Sequence, residues 1–286
     1  MAYLAITTLM WAFSFSLIGE FLGGIDAYFA VLVRVGLAAI IFFPFVKFNA
    51  VPKKLGLMIM VIGAVQVGLM YLFFYHSFAY LKVSEVVLFT VFTPFYVTLM
   101  YDALHRTFRP LYLLSTGVAV LGAYIIRYYE IDSTFIKGFL LVQGANICFA
   151  LGQSAYKKVM ESHTTFTQRD GFLYFHLGAL SVVGVAFVFL GDTTRTTPTL
   201  FQWGVLLWLG VIASGLGYFW WNKGACQVDA GILAIMNNAL VPAGLFVNLF
   251  FWEKPTHLSS LLIGSVVIAF SLWLHHYFIA SHPQTP

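Results

Sequence analysis

The sequence predicts an all-α polytopic membrane protein: ten transmembrane helices, set as two inverted five-helix repeats with both termini cytoplasmic. Three observations predict this. Of 286 residues, 60% are apolar and only 9% charged, against about 45–50% and about 25% in an ordinary soluble domain. The apolar residues gather in runs close to the roughly 20 residues that a bilayer-spanning helix needs. The second half of the chain also repeats landmarks of the first. The composition alone excludes a soluble enzyme and a nucleic-acid-binding protein, because 15 Lys+Arg and 11 Asp+Glu cannot coat a water-exposed surface.

The runs of the first half are Tyr3–Ile18, Ala27–Val46, Leu55–Phe78, Glu85–Tyr101 and Leu111–Ile126. Those of the second are Ile136–Val159, Phe172–Leu190, Phe201–Asn222, Gly231–Trp252 and Leu258–Phe278. Each is too long and unbroken for a barrel strand, which would show short alternating segments. No Lys or Arg precedes the first run, so it reads as a true span and not as a cleaved signal peptide.

Orientation follows from the basic residues between the runs. With the N-terminus inside, the inner loops hold Lys47, Lys53, Lys54, Arg106, Arg109, Lys157, Lys158, Arg169 and Lys223, and the outer loops hold Lys82, Arg127, Lys137, Arg195 and Lys254. The excess of positive charge on the first set favours cytoplasmic termini.

Two repeats, 1–130 and 131–286, are marked by echoes in corresponding runs. Gly68-Leu69-Met70-Tyr71 of the third run returns as Gly215-Leu216-Gly217-Tyr218 of the eighth, and Pro94 of the fourth run returns as Pro242 of the ninth. Arg34-Val35-Gly36 corresponds to His176-Leu177-Gly178. Five helices per repeat is an odd number, so the second copy enters the membrane inverted. Inverted repeats with interrupted helices near the midplane are the pattern of alternating-access transporters.

At this point the chain resembles the EamA-type branch of the drug/metabolite transporter superfamily. The carrying residues are Trp11–Glu20, Asp26–Ala38 with Arg34, Ser84–Asp102 with Pro94, Ile125–Tyr128 and Ala213–Asn238. The resemblance spans nearly the whole chain. It departs at Tyr101-Asp102 and Trp252-Glu253, where many relatives carry Gly-Glu, and at His176, where relatives carry arginine. It implies a secondary transporter of the bacterial inner membrane, with the lipid bilayer and a small organic solute as its partners. Within that branch it implies import of biotin.

Polar side chains inside the apolar runs are costly in hydrocarbon and so mark an interior or wet cavity. Arg34 is the candidate ligand for a carboxylate, since its fork binds one bidentately; the alternative is pairing with a helix end or a buried acid. Asn237 and Asn238 offer donors and acceptors together. Asn146 and Gln66 serve either a solute or interhelical hydrogen bonds. Gln143, Asn146 and Gln153 share one helix face. Trp11, Tyr71, Tyr218 and Trp221 lie on the runs that carry the repeat signature and would hold an apolar ring system, core packing being the alternative. Glu85 is the candidate proton-coupling group, or a carboxylate favoured at a helix N-terminus.

No GxxxxGK[ST] loop, HExxH pair or nucleophile elbow occurs, so neither a cofactor nor a metal is expected, nor is enzymatic activity. The alternative functions are export of amino acids or related metabolites, an intramembrane enzyme and a membrane scaffold.

Overall fold

The computed structural model describes residues 1–104, 133–163, 167–228 and 230–252, with scattered positions from 117 to 125 and from 263 to 277. Every regular element among them is helical. The long helices are α1 (Ala2–Phe21), α2 (Ala27–Phe45), α3 (Lys53–Ser77), α4 (Val83–Leu104), α5 (Ser133–Glu161), α6 (Gln168–Leu190), α7 (Leu200–Ala225) and α8 (Ala230–Phe251). Seven of these, α1 to α7, are long and apolar enough to cross a membrane. Each of the eight falls on an apolar run read from the sequence. Most of the runs Leu111–Ile126 and Leu258–Phe278 lies outside the described residues.

The outer faces stay apolar: Leu9, Ile40, Leu57, Leu140, Val188 and Phe189 are all exposed. A water-soluble bundle would carry charge there, whereas in a bilayer such residues are solvated by lipid. The two ends of the bundle are fixed by contacts. The Lys223 ammonium sits 5.1 Å from the Tyr3 ring centroid, and Lys47 N–H donates to the Asp170 carbonyl at 3.1 Å, which gathers one end around Met1. At the other end Arg195 donates to the carbonyls of Gly23 and Gly24, and Asp26 N–H to the Arg195 carbonyl.

Packing is reciprocal between the halves. α1 packs on α7 and α8, while α5 packs on α3 and α4. α2 packs on α6 and α7, while α6 packs on α2 and α3. Glycines permit the closest approaches. A Cβ on Gly63 or Gly68 of α3 would meet the backbone of Phe175 or Ala179 of α6. On α7 the matching Gly210 and Gly215 face the side chains of Leu37 and Ile41 of α2.

α3 and α7 also share a defect. Each contains a π segment, Ala64–Leu69 and Trp208–Leu216. At its end the Met70 N–H reaches Val65, and the Gly217 N–H reaches Ile212, so the regular partners, the carbonyls of Gln66 and Ala213, are passed over. Such wide turns are rare and cluster at functional sites.

Candidate functional site

The defects surround a central cavity of about 80 Å³, walled by α1 to α5, α7 and α8. Its construction begins with the interrupted helices. In α7 the skipped Ala213 carbonyl accepts from the Trp11 indole N–H at 2.8 Å, which fixes that ring in the wall. Trp11 then packs against Phe149, Tyr218 and Trp221, with ring centroids 5.8, 5.0 and 4.9 Å away. These four rings form an aromatic box on the side of the cavity toward the Met1 end.

In α4 the break is made by Pro94, which has no N–H to give to Thr90. The Thr93 N–H takes over the Thr90 carbonyl in a 3₁₀ turn, Thr90–Phe92. That leaves the Phe89 carbonyl short of its usual donor, and the Asn146 side chain supplies one at 2.8 Å. Asn146 also accepts from the Thr93 hydroxyl at 3.1 Å. Its carboxamide thus ties α5 to the broken turn of α4 while still lining the cavity.

Arg34 on α2 is buried and lines the cavity. Its Nε donates to the Ser214 hydroxyl and its Nη1 to the Tyr75 hydroxyl at 3.1 Å. The guanidinium carbon lies 4.3 Å from the Tyr71 ring centroid, and the Tyr71 hydroxyl shares Ser214 at 2.9 Å. Among the described residues Arg34 enters no ion pair. Its described partners are neutral hydroxyls and a ring face, so its five N–H donors meet no counter-charge among the described residues. Anion binding is the chemistry this wall offers.

Of the residues picked from the sequence, the fold brings Trp11, Arg34, Tyr71, Asn146, Tyr218, Trp221 and Asn237 to one cavity. Asn237 also donates to the Leu233 carbonyl one turn back, at 2.9 Å. Asn238, Gln66 and Glu85 are not in the lining. Gln66 is buried in the π segment and donates to Asn222 Oδ1 at 2.9 Å. The Asn238 Oδ1 is buried without a hydrogen-bond partner. Glu85 accepts from the Lys82 N–H at 2.9 Å, closing the N-terminal turn of α4.

Sequence reasoning missed Ser214 and Ser14 as site residues, though both sit inside quoted stretches. A serine in a transmembrane run reads equally well as a packing residue, and only the Arg34 contact sets Ser214 apart.

Comparison with known proteins adds three findings. A family model described as the EamA-like transporter family matches residues 1–128. A biotin transporter of Salmonella typhimurium is 50% identical over 282 residues, covering 98% of this chain and 94% of the relative. One of Escherichia coli K12 is 49% identical with the same coverage, and a probable biotin transporter of Pseudomonas aeruginosa is 48% identical over 277 residues, 96% of this chain and 97% of its own. A solved crystal structure superposes with a TM-score of 0.72 at 12% identity, over 97% of this chain and 96% of that one. At that identity the likeness is one of fold.

Proposed function

The chain belongs to the EamA-like transporter family, a multi-pass family of the bacterial inner membrane, and from that premise we propose that it carries biotin into the cell as a secondary transporter. The observation that carries the reading is Arg34, a buried cavity-wall cation with no ion-pair partner among the described residues. The name of the solute comes from relatives about half identical along nearly their full length. Biotin pairs a carboxylate with a compact, uncharged fused ring system. The carboxylate takes Arg34, and the rings lie among Trp11, Phe149, Tyr218 and Trp221. Asn237, Asn146 and Thr93, on the wall formed by α8, α5 and α4, face the urea edge.

The full architecture in this reading is ten helices in two inverted repeats, 1–130 and 131–286. The reciprocal packing supports it, as do the matched glycine pairs and the π segments that skip Gln66 and Ala213. Leu104 and Ser133 stand at opposite ends of the bundle, and the run Leu111–Ile126 between them supplies the fifth crossing. The run Leu258–Phe278 supplies the tenth. Lys47, Lys53, Lys54, Lys157, Lys158, Arg169 and Lys223 gather at the Met1 end, with Lys82, Lys137 and Arg195 at the other. That balance supports a cytoplasmic Met1 end. Reporter fusions at both termini test it; an external signal from either one overturns it.

A carboxylate entering a cell that is negative inside moves against about 2.3 kcal/mol per charge per 100 mV. Import therefore requires a co-transported proton, a steep inward gradient, or trapping of biotin by metabolism inside. Glu85 is the proposed proton-coupling group, acting from the outer end of α4, where protonation would weaken its bond to the Lys82 N–H.

The test is saturable uptake of labelled biotin by cells lacking another biotin importer, with and without this gene. Uptake at background, in cells where the protein reaches the membrane, overturns the reading.

A further inference from the structure

We propose that Gln66, Gln153 and Asn222 form a second, inner subsite that takes a neutral urea or amide group between the cavity and the Met1 end. The proposal rests on the transport reading above. The three carboxamides come from α3, α5 and α7, and all are fully buried. Gln66 bonds Asn222 directly, and the Trp221 indole N–H donates to Gln153 Oε1 at 2.7 Å. Gln153 follows Gly152, whose Cβ would collide with Gln66, and Asn222 follows Trp221, so the three carboxamides sit where α3, α5 and α7 meet.

Each has one polar atom left without a hydrogen-bond partner: Gln66 Oε1, Gln153 Nε2 and Asn222 Nδ2. An indole N–H only donates, so it fixes the orientation of the Gln153 amide. Turning both amides of the Gln66–Asn222 pair leaves one acceptor and one donor free again. Either way the cluster holds one free acceptor and two free donor groups. A urea is the complement: N–H groups for the acceptor, and a carbonyl with two lone pairs for the donors. Buried polar atoms in native proteins are nearly always paired, so three such atoms together point to an intermittent occupant.

The cluster lies on a path. Gln143, Asn146, Gln153 and Lys157 are spaced by three, seven and four residues and so share one face of α5. Asn146 lines the cavity, Gln153 stands about two turns nearer the Met1 end and Lys157 one turn further. There Lys157 Nζ donates to the carbonyls of Ala225 and Val228, at 3.2 and 2.9 Å, closing the end of α7. Trp221 lines the cavity and is bonded to Gln153, so its ring is the partition between cavity and cluster. When Trp221 leaves Gln153, the urea edge of a solute moving inward meets these amides before it reaches Lys157.

The test uses the full chain in vesicles of known orientation, with labelled biotin presented to one face at a time. Gln66→Met and Asn222→Leu are chosen because neither residue lines the cavity, whereas replacing Gln153 would strip the Trp221 indole of its acceptor. Loss of one neutral hydrogen bond is worth about three- to tenfold, so the half-saturation concentration rises by that factor at the Met1 face and stays unchanged at the other. Equal shifts at both faces, or none at either, overturn the subsite. In the unaltered protein, 2-imidazolidinone, a free cyclic urea, inhibits biotin transport more strongly from the Met1 face; equal inhibition from both faces also overturns it. Absence of biotin transport by the unaltered protein overturns the transport reading itself, a separate result.

Discussion

The guanidinium carbon of Arg34 lies 4.3 Å over the ring of Tyr71, and both residues bond the same hydroxyl, that of Ser214. The arginine is thereby held by a ring face and two hydroxyls beside the cavity it lines. Three helices, α2, α3 and α7, converge in this one contact. Any rotation of α7 against α2 must therefore disturb the contacts that hold this arginine.

Removing the charge tests the site most directly. Arg34→Gln should weaken biotin binding by about 10- to 100-fold, the worth of a charge-assisted hydrogen bond of about 1.5–3 kcal/mol. Arg34→Lys should recover part of that loss, since it restores the charge without the fork. Half-saturation of labelled uptake, normalised to protein in the membrane, is the measurement. An unchanged value for Arg34→Gln removes the carboxylate from this wall.

Trp11 has a structural duty separable from solute contact. Trp11→Phe keeps a ring in the aromatic box but leaves the Ala213 carbonyl without its indole donor. An unsatisfied buried acceptor costs about 1–3 kcal/mol, so the purified protein should melt several degrees lower. Equal melting curves would mean that the carbonyl finds another donor.

Asn146 and Pro94 should be energetically coupled. In Pro94→Ala the new N–H serves the Thr90 carbonyl, freeing the Thr93 N–H for Phe89 and making the Asn146 bond dispensable. Asn146→Ala should therefore destabilise the natural sequence more than the Pro94→Ala background, with a coupling of about 1 kcal/mol. A double-mutant cycle on denaturation midpoints reads it, and strict additivity would reject the mechanism.

The glycine pairs make a sharper claim about the repeat. Gly63→Ala and Gly210→Ala each push a methyl into the facing helix, α6 or α2, and overpacking of this kind costs about 1–3 kcal/mol. Gly36→Ala is the control, because its Cβ would meet nothing within 4 Å. Folded yield in membranes should fall for the first two and hold for the third. Comparable yields for all three would show that the helix pairs can separate at no cost.

Much of this was legible before any coordinates. The runs Ala27–Val46 and Phe172–Leu190 fall on α2 and α6 within a few residues, because an unbroken apolar stretch in lipid has no option but a helix. Gly68 and Gly215, picked out as an echo, lie in the two π segments. Arg34 and Asn237 stood out because a polar side chain in an apolar run is rare enough to notice.

Which of those polar residues share a cavity was a tertiary decision. Gln66 and Tyr71 lie five residues apart on α3, yet Gln66 bonds α7 behind the wall while Tyr71 lines it. Spacing alone sets the two about 140° apart around a regular helix; which of those faces meets the cavity is set by how α3 packs on α5 and α7. Ser214 was invisible for another reason: its role exists only where α2 brings Arg34 against it. The sequence by itself determined the solvent the chain lives in and where the described helices lie along it. The packing of α2 against α3 and α7 decided where the proposed anion site lies, because every residue that binds Arg34 comes from a helix other than its own.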